Sequence, residues 1–415
     1  MKKYTRLILL VIPTILFFSC AQKKKNNTGT IPGYPAAQLT DSIREQFTNL
    51  VNNSYSNNDS GMVAMAIYLQ RGNERLVDTN YFFSNNNMPL PNDSTIFQMG
   101  SVTKTFTAAL IARLVNIGKM KLDMPAQNYL QPGENIPVPR LPDHFNGQPA
   151  TITLGNLATM NAGLARNAPI QLSTNTTPYL FAFNHLDKDS SLLFKPGSTC
   201  NLYSNLGFGI LGLAACLQAY PHSATYYNNY ENLVVDSLIT PLLMHDTRIT
   251  LDANQMSRRA KPYGANELPT SYDNPNWPFN YAAGALYSTL RDMRLYAKEM
   301  AGQGNYLTQR DIDTLLTLRG YVYKDTCQVQ HGHPAAGQAM AWVITEDMKG
   351  SNDTTFTRYS KDGGLGGFST FITFSTPTIN NIQYKAWVVL WANRKDFPVQ
   401  SNAARIMQLV YDLAK

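Results

Sequence analysis

Strand-like patterns occupy both ends of the chain, and helical ones fill the stretch between. Met62 to Gln70 and Glu74 to Phe83 are apolar, β-rich runs separated by Arg71-Gly72-Asn73, a hairpin signal. Strand patterns return from Ala339, at Ala339 to Thr345, Phe368 to Phe374 and Tyr384 to Trp391. Helices are predicted over Asp41 to Val51 and near Asn402 to Leu413, and Ser84 to Asp93 reads as an Asn-rich loop. The middle, about residues 105 to 300, is helical and loop-rich with several Pro-Gly turns. The economical packing is an α+β fold: one antiparallel sheet flanked by the terminal helices, carrying an inserted, mainly helical lobe. The α/β lobe would span about 41–100 and 301–415, and the helical lobe about 101–300. A site is expected in the cleft between the lobes.

The first residues follow another pattern. Lys2, Lys3 and Arg6 precede a short apolar stretch, Leu7 to Phe18, as in an export signal; it is too short to span a membrane. Phe17-Phe18-Ser19-Cys20 resembles a bacterial lipobox, with Phe17 in place of the usual leucine. That resemblance implies an exported protein lipid-anchored through Cys20 in the cell envelope, with an ordinary cleaved signal as the alternative. Residues 21 to about 40 read as a polar linker and 41–415 as the folded domain.

At 415 residues the chain is long enough for one large domain, or two smaller ones, with real cores. Its net charge is +7, but Lys2, Lys3, Arg6 and Lys23 to Lys25 supply six of those charges. The basic balance therefore belongs to the terminus, and no nucleic-acid partner is expected. The lysine run would meet anionic headgroups beside an anchor, or act as a solvated tether. Cys20, Cys200, Cys216 and Cys327 make no disulfide framework. Any bridge would have to involve Cys327, and none is expected. His331-Gly332-His333 lacks partners at ligand spacing, so no metal is expected.

The chemistry concentrates in three segments. In Gln98-Met99-Gly100-Ser101-Val102-Thr103-Lys104, a serine is followed three residues later by a lysine at the start of a helix that Phe106 to Val115 continues. Residues so spaced share a helix face, so the amine can reach the hydroxyl. A helix N-terminus favours a developing oxyanion, and a desolvated lysine crowded by other cations can take the serine proton. The alternative is a capping serine with a solvated lysine one turn on. Tyr203-Ser204-Asn205 adds a phenol that can shuttle a proton and an amide that can bind both lysine and substrate; a structural tyrosine and an asparagine N-cap are the alternative. Ser360-Lys361-Asp362-Gly363-Gly364 places a lysine before glycines at a strand edge, supplying positive potential and bare N–H groups, or else forms a hairpin with a surface lysine. Gly207-Phe208-Gly209-Ile210-Leu211-Gly212 fits a dinucleotide-binding pattern, but no preceding buried strand supports it, and close helix packing is the better reading.

Together the three segments resemble the serine β-lactamases of class C and their low-molecular-weight penicillin-binding relatives, which include D-alanyl-D-alanine carboxypeptidases and endopeptidases and related esterases. The resemblance runs from about residue 41 to 415, with support from Leu154 to Leu164, Lys195 to Gly212, Ala282 to Asp292 and Trp387 to Pro398. It implies a β-lactamase/transpeptidase-like fold and no cofactor. Ser101 would be the nucleophile, Lys104 its base alone or with Tyr203, and Tyr203 the proton donor to the leaving nitrogen. Asn205 would position the substrate amide. Lys361 would set the local field, and Lys361, Asp362, Gly363 and Gly364 would line the substrate. The N–H groups of Ser101 and Gly364 would form the oxyanion hole. The implied substrate is a D-amino-acid peptide of peptidoglycan type or a small acyl compound. A β-lactamase, an esterase, a D-amino-acid amidase or a slowly turning-over penicillin sensor are the alternatives.

One residue departs from the family pattern. The middle position of the third motif is usually a hydroxyl that helps bind a substrate carboxylate, and here it is Asp362. An ionised aspartate there would repel such a carboxylate by about 1 to 4 kcal/mol at contact distance. The expectation is poor handling of free-carboxylate substrates, unless strand alternation turns Asp362 away from the cleft.

Overall fold

Gly61–Arg71 is buried along most of its length because its alternate residues serve two cores. Val63, Met65, Ile67 and Leu69 enter one cluster, while Met62, Ala64, Ala66 and Tyr68 enter the other. A strand buried on both faces reads as an unbroken apolar run, which is how this segment appears in the sequence. The computed structural model describes residues 36–55, 60–85, 88–131, 140–167, 192–220, 229–264, 280–322, 336–349 and 355–413. Cys20 and the segment preceding it, Cys327, and His331 to His333 lie outside the described residues.

On one edge Gly61–Arg71 pairs with the hairpin partner Glu74–Asn85, and on the other with Ile382–Ala392. The two ends of the domain thus pair side by side within one sheet, one strand in from its Glu74–Asn85 edge. Among the described residues that sheet has nine strands. The order runs Glu74–Asn85, Gly61–Arg71, Ile382–Ala392, Phe368–Ser375, Thr355–Leu365, Val343–Lys349, Ala336–Gln338, Gly320–Val322, with Thr378–Ile379 also on Ile382–Ala392. All of these pairings are antiparallel. Ala36–Asn52 and Val399–Leu413 cover one face through Leu39, Ile43, Phe47, Ala403, Ile406 and Met407. On the other face Trp387, Val389 and Trp391 join the core that holds Phe97, Phe106 and most of the helical middle.

Three local expectations change. The single strand expected over Ala339 to Thr345 is two, Ala336–Gln338 and Val343–Lys349. Ala341 takes a left-handed backbone (φ 63°), and the Ala339 N–H donates to the Trp342 carbonyl at 2.9 Å, closing a turn between them. Leu290–Met300, which the sequence places in the helical lobe, packs on the sheet strands, and its Tyr296 stacks on Phe106 with ring centroids 4.0 Å apart. Cys200 is disulfide-bonded, contrary to the expectation of no bridge, whereas Cys216 is free and buried. The glycine-rich decoy lies inside the helix Asn205–Ala219, where a Cβ at Gly212 would fall 2.3 Å from that of Ala282. No described helix is long and apolar enough to cross a membrane.

Candidate active site

Ser101 sits in a single 3-10 turn, Gly100–Val102, that feeds directly into the helix Thr103–Asn116. The residue preceding that helix is Val102, and no side chain caps it. The Ser101 hydroxyl therefore does not cap the helix. It shares a short hydrogen bond with the Tyr203 hydroxyl and lies 3.1 Å from Lys104 Nζ.

Two glycine backbones let the sheet reach this turn. Gly100 has φ 51°, and a Cβ there would come within 3.0 Å of the Gly364 nitrogen. A Cβ at Gly363 would fall 2.2 Å from the Met99 carbonyl oxygen and 2.4 Å from Thr370 Oγ1. Only glycine allows the strand Thr355–Leu365 to lie against the Ser101 turn this closely. The Thr370 hydroxyl fastens the contact by donating to the Met99 carbonyl at 2.8 Å.

Lys104 is fully buried. Its amine donates to Asn205 Oδ1 at 2.7 Å and to the Ala283 carbonyl at 2.6 Å, besides its contact with Ser101. Burial pulls its pKa down to about 8, with Lys361 adding to the shift and Tyr203 opposing it. A neutral amine has two hydrogens and one lone pair. Asn205 Oδ1 and the Ala283 carbonyl are pure acceptors and engage both hydrogens, so the lone pair is left facing Ser101.

Tyr203 and Asn205 come from the start of the helix Asn205–Ala219. The cap there is Ser204, whose side chain accepts from the Gly207 N–H, so the asparagine cap is not the arrangement found. Asn205 instead bridges Lys104 and Asn167, donating to Asn167 Oδ1 at 2.7 Å. Burial raises the Tyr203 pKa, but the charges of Lys104 and Lys361 outweigh it and the net direction is down. Lys361 Nζ lies 5.4 Å from the Tyr203 ring centroid.

Lys361 is likewise buried, and so is not the surface lysine of a hairpin. Its amine binds Asp362 twice, at 2.7 Å to the carbonyl and 2.8 Å to Oδ1. Burial pulls the Lys361 pKa down, but Asp362 overrides it and the net direction is up. The Asp362 carboxyl is held below its ordinary range by the Lys361 charge, and Lys104 adds to that pull. With its side chain 64% exposed, Asp362 stays open to water at the mouth of the site. Its Oδ1 accepts from Lys361 Nζ, the amine that lies beside the Tyr203 ring, so the carboxylate stays within electrostatic reach of the site.

The structure thus gathers Ser101, Lys104, Tyr203, Asn205, Lys361, Asp362, Gly363 and Gly364 at one place. Sequence reading missed the Ala283 carbonyl, which carries no side-chain signal. It also missed Arg166 and Asn167, which lie just beyond the supporting segment Leu154 to Leu164. Among the described residues no cluster of three or more metal-ligating side chains occurs.

Comparison with known proteins accounts for this geometry. The D-alanyl-D-alanine-carboxypeptidase/endopeptidase AmpH of Escherichia coli K12 is 26% identical over 322 residues, covering 75% of this chain and 76% of that protein. A beta-lactamase of Pseudomonas fluorescens is 32% identical over 214 residues, about half of each chain. A beta-lactamase/D-alanine carboxypeptidase of Yersinia pestis, solved with citrate, shares the fold with a TM-score of 0.65 at 22% identity, over 92% of this chain and 99% of its own. The Beta-lactamase family model matches residues 42–411, nearly the whole folded part, and the chain accordingly belongs to the beta-lactamase family of serine hydrolases.

Proposed function

We propose that this hydrolase is a D-alanyl-D-alanine carboxypeptidase/endopeptidase acting on cell-wall peptides through an acyl-enzyme on Ser101. The observation that carries the reading is the match to the E. coli carboxypeptidase/endopeptidase, which extends over three-quarters of both chains. Lys104, with its lone pair toward Ser101, takes the serine proton as Oγ attacks the substrate carbonyl. The oxyanion develops against the N–H groups of Ser101 and Gly364, whose backbones are held together by the glycine contacts. Tyr203 protonates the departing nitrogen, and water then hydrolyses the ester. Asn205 orients Lys104 and the substrate amide, and Lys361 supplies the field that eases both deprotonations.

A β-lactamase reading is favoured by the Pseudomonas relative, the more identical of the two over a shorter span. Asp362 weighs against it, because a penicillin carries a carboxylate where the family pattern has a hydroxyl; it weighs equally against a free D-Ala-D-Ala end, so within the peptidase reading the endopeptidase activity is the favoured one. The deciding experiment is intact-protein mass after incubation with a penicillin, and separately with muropeptides whose products are analysed. A mass gain absent from Ser101→Ala, with released D-alanine or split cross-links, supports the peptidase. Rapid return of the free mass with hydrolysed penicillin supports the β-lactamase. No adduct and no cleavage overturn both.

The export-signal pattern and the lipobox-like Cys20 support placement in the cell envelope on a lipid anchor. Labelling with a fatty-acid analogue should mark the protein and be lost in Cys20→Ala.

A further inference from the structure

In the third motif of this cleft the cation already has a direct partner. Lys361, the cation on the sheet side, gives its charge to Asp362. Lys104 is enclosed by Ser101, Asn205 and Ala283. Neither ammonium is free to hold an anionic group of a substrate. Arg166 differs from both: it is exposed and makes no ion pair among the described residues. Its guanidinium lies 4.8 Å from the Tyr203 ring centroid. The backbone beneath it is fixed, since the Arg166 carbonyl accepts the Asn205 N–H at 2.7 Å and Asn167 accepts the Asn205 side chain. A guanidinium stacked on a ring keeps its edge N–H groups available for a carboxylate, which it can bind through two of them.

We propose that Arg166 is the anion anchor of the cleft, binding a carboxylate carried on the leaving segment of the substrate at a distance from the scissile bond that Asp362 does not reach. This deepens the peptidase reading and rests on its placement of Tyr203 beside the leaving nitrogen. Asp362 and Arg166 then sort substrates by where the charge lies. A terminal D-residue carries its carboxylate next to the scissile nitrogen, beside Asp362, and is disfavoured. A leaving segment joined onward through an amide, with its carboxylate farther along, reaches Arg166. That charge pattern belongs to a leaving segment whose residue at the scissile nitrogen carries no free carboxylate of its own, rather than to a free dipeptide end.

The test is a matched pair of acetylated peptides containing D-Ala-Gly-Glu-amide and D-Ala-Gly-Gln-amide, cleaved after D-Ala, assayed with wild type, Arg166→Ala and Arg166→Lys. The expected wild-type result is a KM about tenfold lower for the Glu peptide, the effect of a partly exposed charge-assisted hydrogen bond, and weaker in added salt. Arg166→Ala should erase that ratio and Arg166→Lys should keep part of it. If Arg166 only steadied Tyr203, kcat would fall for both peptides and the ratio would stand, which would overturn the proposal, as would a wild type with no preference. The Kd ratio of the two peptides on Ser101→Ala decides the same question without turnover. Absence of Ser101-dependent cleavage would fell the peptidase reading and leave that binding ratio to judge Arg166 alone.

Discussion

Lys104 and Lys361 sit on opposite walls of one cleft, both almost wholly buried, and their proton affinities move in opposite directions. Burial acts on both alike and disfavours the charge. Their partners make the difference. Lys104 meets the hydroxyls of Ser101 and Tyr203, an amide oxygen and a carbonyl, and no carboxylate touches it. Lys361 meets a carboxylate. One lysine is thereby brought toward the neutral amine, while the other stays a cation whose field lowers the proton affinity of Lys104 and Tyr203. A single acidic side chain is enough to move two like residues apart, one toward neutrality and one toward permanent charge.

The contrast breaks most severely at the catalytic wall. Ser101→Ala should cost roughly a million-fold in kcat, as deletion of a nucleophile does elsewhere, and Lys104→Ala should be comparably damaging; steady-state turnover near wild type in either variant would refute the assignment. The next effect is on pH dependence. In the proposed mechanism the neutral form of Lys104 accepts the serine proton, so kcat/KM should rise with pH through about 8. Lys361→Met removes a cation that lowers Lys104 and leaves Asp362 unpaired, so both changes push the rise toward higher pH. A profile unmoved by Lys361→Met would mean that the two walls are electrically independent. Asp362→Thr restores the family's hydroxyl, and stopped-flow acylation by a penicillin should quicken about tenfold, within the range expected for a partly compensated charge at contact distance; an unchanged rate would show that Lys361 fully cancels the repulsion. The smallest effect expected is structural. Gly363→Ala drives a methyl into the Met99 carbonyl and should lower stability by about 1 to 3 kcal/mol, read as a fall in Tm.

The terminal helices and the strands Gly61–Arg71, Glu74–Asn85, Phe368–Ser375 and Ile382–Ala392 were legible because their apolar runs are strong, whereas short pieces such as Ile96–Gln98, Tyr287–Thr289 and Gly320–Val322 carry too few residues to show a period. The strand Thr355–Leu365 was not, since its site end is glycine-rich and its apolar alternation weak. Ser101, Lys104 and Tyr203 were legible as residue types at recognisable spacing. The capping role of Ser204 went to the wrong neighbour because serine and asparagine are almost equally good caps and the sequence places them side by side. The orientation of Asp362 was left open because strand alternation describes where Cβ atoms point, and a lysine arm is long enough to ignore it. Arg166 had no signal of its own: its meaning comes from stacking on Tyr203, a residue distant in sequence.

The pairing of Gly61–Arg71 with Ile382–Ala392 has a consequence in time as well as in space. The Met62 N–H donates to Asn393 Oδ1 at 2.6 Å across a sequence separation of 331 residues. During synthesis the first hairpin waits for a neighbour that has not yet been made, and contacts of such long range close slowly. A nascent chain ending at Ser375 should therefore leave the Gly61–Arg71 amides open to hydrogen exchange. Until its final strand is made, the sheet lacks the piece that joins its first hairpin to Phe368–Ser375, so the two ends of the domain cannot close on each other.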